Sequence, residues 1–153
     1  MADKSQRSGA RGARSSLVFV PLGGAGEIGM NLYLYGSGSG RKRQWLMVDC
    51  GVKFGDDRDP GIDVIVPDTA FIEQYGGDLN GIVLTHAHED HMGAIPWLWD
   101  RLEVPVYCTP FAAELLRRKL AEAGLLEIVD IRTVQLGDKV EIGAFDVEFV
   151  AVT

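Results

Sequence analysis

The chain has 153 residues, 46% of them hydrophobic and 24% charged, which suits one soluble domain with a real core and excludes a fibrous or wholly disordered chain. A formal net charge of -7 argues against holding a polyanion by surface electrostatics alone, and two widely separated cysteines, Cys50 and Cys108, fit a reducing compartment and exclude a finger built on cysteine pairs. No apolar run reaches the length of a signal segment or a membrane span, so the expected location is the cytoplasm, with no membrane partner.

Residues 1–16, with Lys4, Arg7, Arg11 and Arg14 among small polar residues, read as a flexible basic tail, and 17–153 as the folded part. Residues 17–22 form a strand candidate, ended by a glycine-rich turn. A second candidate at 31–35 and a third at 44–49 complete a β-meander, with Arg41, Lys42 and Arg43 exposed at a hairpin tip.

The turn Gly24-Ala25-Gly26-Glu27-Ile28-Gly29 satisfies the dinucleotide fingerprint, and Asp49 lies at about the distance of its ribose-binding acid. That fingerprint must open a helix, whereas Asn31-Leu32-Tyr33-Leu34-Tyr35 favours a strand. The glycines therefore read as a tight turn between strands, although such a backbone beside an active site can still touch a phosphate.

A long polar loop over 51–67 has the length of a functional loop. Residues 69–75 read as a helix capped by Asp68, 81–85 as a buried strand, and 95–102 as a helix with Pro96 in its first turn and Trp97 and Trp99 near its packing surface. A short strand at 104–108 precedes a strong helix at 111–123, stopped by Gly124. Two strands, 128–136 and 140–152, flank a turn at Gly137-Asp138. A meander followed by alternating strands and helices predicts an α/β layered fold.

All three histidines fall in Thr85-His86-Ala87-His88-Glu89-Asp90-His91, directly after the apolar run Ile82-Val83-Leu84. Imidazole nitrogens and carboxylate oxygens are donors for zinc or a similar divalent ion. In extended chain His86 and His88 project to the same side and can grip one ion. Asp90 and His91, where the chain turns toward a helix, would take a second, with Glu89 pointing away. The pattern reads as half of a two-metal hydrolytic site. Asp49, closing a strand, has two readings: a carboxylate that hydrogen-bonds the ligand loop and orients an imidazole, or an ordinary capping aspartate at a turn. Cys50 reads as packing rather than chemistry.

The segment from Thr85 to Ala94 resembles the signature of the metallo-β-lactamase superfamily. The stretches Leu22-Gly23-Gly24-Ala25-Gly26-Glu27-Ile28-Gly29-Met30-Asn31, Gly61-Ile62-Asp63-Val64-Ile65-Val66-Pro67-Asp68 and Leu115-Leu116-Arg117-Arg118-Lys119-Leu120 are similar to the bacterial ribonuclease J group within it, of the β-CASP type. The resemblance implies an αββα sandwich with two Zn2+, Mn2+ or Mg2+ being possible in their place. It also implies a ribonuclease with 5′-to-3′ exonuclease and endonuclease activity in mRNA decay and rRNA maturation, homo-oligomeric at full length.

Residue by residue, His86 and His88 match ligands of one ion, Asp90 and His91 ligands of the other, and Asp49 the strand-end aspartate beside the site. The ions and the water they hold would do the chemistry. The family's further ligands, its β-CASP insertion and its pocket for a 5′-monophosphate are not matched here, so the chain is expected to be the amino-terminal part of such a protein and inactive as it stands. Two alternatives remain open from the residues: a hydrolase of the same fold acting on a small ester, thioester or lactam, and a non-catalytic RNA-associated scaffold.

Overall fold

A computed structural model describes residues 16–75 and 78–152. The expected basic tail lies outside the described residues except for Ser16, which already belongs to the first strand, β1 (Ser16–Gly23). β1 alternates Val18, Val20 and Leu22, packed on the core, with the exposed Leu17 and Phe19. It is an edge strand of the sheet, the position that tolerates Pro21 and its missing N–H.

β2 (Leu32–Gly38) pairs antiparallel with β1, and β3 (Gln44–Val48) antiparallel with β2, as the meander predicts. A short 3₁₀ turn at Gly40–Lys42 leaves Arg41 and Lys42 exposed. Arg43 departs from expectation: its guanidinium folds back to the Gly38 carbonyl and the Ser16 hydroxyl and lies 5.6 Å over the Trp45 ring. The polar loop that follows contains a small two-stranded ribbon, β4 (Lys53–Phe54) with β5 (Val64–Ile65).

Helix α1 (Ala70–Tyr75) starts one residue later than expected, because Thr69 takes the capping position: its carbonyl accepts from Ile72 and Glu73, while Asp68 accepts from the Ala70 N–H. β6 (Asp78–Val83) runs parallel to β3, β7 (Val106–Cys108) parallel to β6 and β8 (Ile131–Thr133) parallel to β7. The crossovers are made by α1, by α2 (Glu89–Met92) with α3 (Ile95–Leu102), and by α4 (Pro110–Glu122). Each moves the chain one place in the same direction along the sheet, and crossovers of one hand then put every helix on one face.

That face is the main core. Leu32, Leu34, Met47, Ile82, Leu84, Val106 and Cys108 lie beneath Ile95, Leu98 and Leu102 of α3 and Ala112, Leu116 and Leu120 of α4. Spacing by three and four residues selects Ile95, Leu98 and Leu102, and it leaves Trp97 on the outer side at 63% exposure, contrary to the expected packing role. Trp99 is partly buried and packs against the core as expected.

The opposite sheet face carries a smaller cluster of Leu46, Val83, Tyr107, Val134, Ile142 and Phe149. Its cover is an antiparallel hairpin, β9 (Lys139–Ile142) with β10 (Phe145–Glu148). Here the sequence-based pairing needs correction. Gly137, with φ of 89°, does turn the chain, but the strands before and after it do not pair with each other. The earlier one joins the main sheet as β8, and the hairpin turns instead at Gly143, φ 57°, and Ala144. The result is an α/β architecture of one helical layer on a mixed sheet, with a β-hairpin on the other face. Among the described residues no helix is long and apolar enough to cross a membrane.

Candidate metal centre

The histidine segment leaves the end of β6, and Asp49 leaves the end of the neighbouring parallel strand β3, so both emerge at the edge where α/β sheets place their sites. Backbone hydrogen bonds tie the two emerging segments together. The Cys50 N–H donates to the His91 carbonyl at 2.7 Å, Val52 to Glu89 at 3.0 Å, and Asn31 to Asp90 at 2.9 Å, while Ala94 donates back to Cys50 at 2.9 Å. Gly51 makes this approach possible, since a Cβ there would stand 1.7 Å from the Asp90 carbonyl oxygen. The turn at Gly24, Gly26 and Gly29, all with positive φ, joins two antiparallel strands and opens no helix, as the β-rich residues after it require.

Asp49 is buried, 2% exposed, in a left-handed conformation at φ 62°. Its carboxylate accepts from the Thr85 N–H at 2.8 Å, from the Thr85 hydroxyl at 2.9 and 3.0 Å, and from Nδ1 of His91 at 2.8 Å. A buried charge is stable only with such partners. The carboxylate thus joins the start of the histidine segment to the His91 ring.

Proton positions follow from this. A carboxylate only accepts, so the His91 proton is on Nδ1 and its Nε2 lone pair points outward. The Thr85 hydroxyl spends its proton on Asp49, so toward His86, 3.0 Å away, it can only accept; His86 then carries its proton on Nδ1 and keeps a lone pair on Nε2. Burial, followed by the neighbouring His91 and His88, pushes the His86 imidazolium below the ordinary histidine range and favours this neutral form.

Nε2 of His86 faces Nδ1 of His88 at 3.1 Å. Two nitrogens bound to one tetrahedral zinc at about 2.0–2.1 Å would lie roughly 3.3 Å apart, so this pair has the bite of a chelating pair. Nε2 of His91 lies 3.4 Å from Oδ2 of Asp90, and the Asn31 amide nitrogen stands 3.2 Å from each of them. The donor set thus fits divalent ions at both pairs. Among the described residues no three His, Cys, Asp or Glu side chains surround a single point.

The candidate residues are therefore brought together: His86, His88 and His91 as a cluster of rings with centroids 3.9 and 4.6 Å from the His86 ring, Asp90 beside His91, and Asp49 beneath. Glu89 points away, as expected, and pairs with Lys119 of α4 at 2.9 Å. Asn31 was not singled out by its sequence. Its amide donates to the Asp90 carbonyl at 3.0 Å and to the Asp90 carboxylate at 3.2 Å, and it lies 3.2 Å from Nε2 of His91. The Tyr33 hydroxyl donates to the other end of that amide at 2.8 Å and fixes its orientation. Thr85, the first residue of the segment, links Asp49 to His86.

The model of the beta-lactamase superfamily domain matches residues 44–153. A ribonuclease J of Sinorhizobium meliloti is 50% identical over 136 residues, 89% of this chain and 24% of that protein. A ribonuclease J of Helicobacter pylori is 32% identical over 142 residues, 92% of this chain and 20% of that protein. One of Mycobacterium tuberculosis is 38% identical over 138 residues, 89% of this chain and 24% of that protein. The chain spans about a fifth to a quarter of the length of these relatives.

Proposed function

Because this chain belongs to the metallo-β-lactamase superfamily and, within it, to the ribonuclease J family, we propose that it carries half of the ion-binding site of a ribonuclease that hydrolyses RNA phosphodiesters. The observation that supports this reading most directly is the pairing of donors: His86 Nε2 against His88 Nδ1 at 3.1 Å, and His91 Nε2 beside Asp90 Oδ2 at 3.4 Å, all at the end of one buried strand.

In this proposal His86 and His88 hold one divalent ion and Asp90 and His91 the other, with Zn2+ first in preference and Mn2+ or Mg2+ next. Bound ions of this kind supply water made acidic near neutral pH and positive charge against a phosphoryl group. The chain's own residues make that possible by presenting lone pairs. Asp49 accepts the hydrogen bond of His91 Nδ1–H and Thr85 that of His86 Nδ1–H, so Nε2 of each ring is the nitrogen turned to the site, that of His91 within 3.2 Å of the Asn31 amide nitrogen. Asn31 steadies the Asp90 carboxylate and holds the Asp90 carbonyl through the same amide. With two donors for each ion, fewer than the three protein ligands usual for catalytic zinc, the 153 residues alone should bind metal weakly and turn over little RNA.

The finer reading is a 5′-to-3′ exonuclease and endonuclease acting in the cytoplasm on mRNA decay and rRNA maturation, as a homo-oligomer. Its test is a substrate panel given to the protein at the length its gene encodes, loaded with zinc or manganese. RNA labelled at the 5′ end should be cleaved, while thioester and lactam substrates should not. Turnover of the small substrates with RNA untouched would reverse the assignment.

A further inference from the structure

The cleft beside Asp90 extends past the ion-holding side chains. It has a volume of about 700 Å³ and runs between the glycine turn and the segment around β4, with Glu89 and Asp90 also lining it. Two large apolar side chains in its lining are left open to water: Ile28 at 91% exposure and Phe54 at 60%. Of the exposed apolar side chains, these two share one cleft that also reaches Asp90, where they can meet a bound ligand together.

Both walls are tied to the backbone that carries the site. Phe54 is held opposite Val64 by the β4–β5 pairing. On the other wall the Met30 N–H donates to the Val52 carbonyl at 2.9 Å, and Gly29, at φ 91°, lies so close to Lys53 that an added Cβ would stand 3.2 Å from the lysine Cβ. The platform therefore continues directly from Cys50 and Val52, whose backbone N–H groups hold His91 and Glu89.

Charge decides what the cleft can take. Arg58 is paired to Asp56 at 2.6 Å and Glu89 to Lys119 at 2.9 Å, and Lys53, Glu27 and Asp90 complete the charged lining. With Asp90 given to an ion, Lys53 and Glu27 offset each other, so the lining gathers no cations for a phosphate clamp and suits the uncharged face of a base. We propose that Phe54, with Ile28 on the opposite wall, is a stacking platform for one nucleobase of an RNA strand, next to the phosphodiester that the ions address. This rests on the ribonuclease reading above. Stacking on an aromatic ring is tolerant of base identity, so the platform positions the strand without selecting a sequence.

The test is a binding cycle in the protein at its encoded length, using an RNA with phosphorothioate linkages that resist cleavage and single abasic sites placed in turn on each side of the susceptible bond. Phe54→Ala should weaken binding by about 5- to 140-fold, the range of one base stacked on an aromatic ring, and Phe54→Trp should restore it. At one position the abasic RNA should bind the unaltered protein as weakly as intact RNA binds Phe54→Ala, with no further loss when both changes are combined. The dependence of affinity on salt should not change, since no phosphate contact is removed. Losses that multiply at every position, or a loss under 2-fold for Phe54→Ala, would overturn the platform while leaving the ribonuclease reading intact. An unaltered protein that neither binds nor cleaves RNA would remove both.

Discussion

Oδ2 of Asp49 accepts from Nδ1 of His91 at 2.8 Å, and this contact decides which nitrogen of His91 is turned to the site. In Asp49→Asn the left-handed backbone is kept, because asparagine tolerates it. The amide, however, has one oxygen for three donors: the Thr85 N–H, the Thr85 hydroxyl and the His91 ring. The expected result is a roughly 10- to 100-fold loss of zinc affinity, from a ring no longer oriented. A buried donor left unsatisfied should also cost about 1–3 kcal/mol of stability. Competition with a chromophoric chelator measures the first and thermal unfolding the second. Lost stability with zinc affinity unchanged would reduce Asp49 to a structural role.

His88→Ala and His91→Ala separate binding from folding. His88 is exposed, and among the described residues its ring bonds and stacks with His86, so its removal should leave the far-UV spectrum and the melting temperature alone. His91 also satisfies Asp49, so its removal should cost about 1 kcal/mol, or roughly 2–4 °C in Tm for a domain of this size. In the protein at its encoded length, RNA cleavage should fall in both by more than the roughly 100-fold expected from loss of a supporting partner. Normal turnover in either variant would refute the ligand assignment.

The parts of the site that could be read from sequence are those encoded within a few residues. His86 and His88 meet because extended chain repeats every two residues, and Asp90 and His91 follow in α2 as the turn toward a helix requires. Asn31 is not legible in the sequence because its contacts to Asp90 and His91 span 59 and 60 residues, and an isolated asparagine has no periodic neighbour to announce it. The same distinction governs the fold. Local patterning places the meander and α4, whereas the partner of a strand is chosen by tertiary packing. Gly137 bends the chain as expected, but β8 finds β7 through a parallel pairing that no turn residue specifies. The outward place of Trp97 is hidden for a related reason: three residues of its helix, Ile95, Leu98 and Leu102, already fill the face toward the sheet.

Gly51 offers a test of the packing under the site. Its missing side chain admits the Asp90 carbonyl oxygen to within 1.7 Å of where a Cβ would sit, and the nearest atoms are backbone, which cannot swing aside. Gly51→Ala should therefore cost near the upper end of the roughly 1–3 kcal/mol typical of overpacking. Because the displaced backbone belongs to Asp90 and His91, zinc affinity should fall together with Tm. A stable variant with weakened zinc binding would mean that the ribbon shifts as a unit; a stable variant with normal binding would contradict the close approach itself.

The two cysteines should be silent in the folded protein. Cys50 is fully buried, and burial, with the Asp49 charge added, pushes its thiol up from 9.0 to about 12; burial pushes Cys108 up to about 11 against the opposing pull of Arg117. At pH 8 both are protonated and covered, so a thiol reagent should label neither until guanidinium unfolds the chain, when both should react. A thiol whose folded pKa lies above its unfolded value keeps more protons in the native state. Its contribution to stability is therefore complete below about pH 9 and is lost as pH rises through 11 and 12. Alkaline unfolding should begin in that window and move to higher pH in Cys50→Ala, whose side chain has no proton to lose. Fast labelling at pH 8 in the native state would show that the core around β3 and β7 opens far more often than its packing implies.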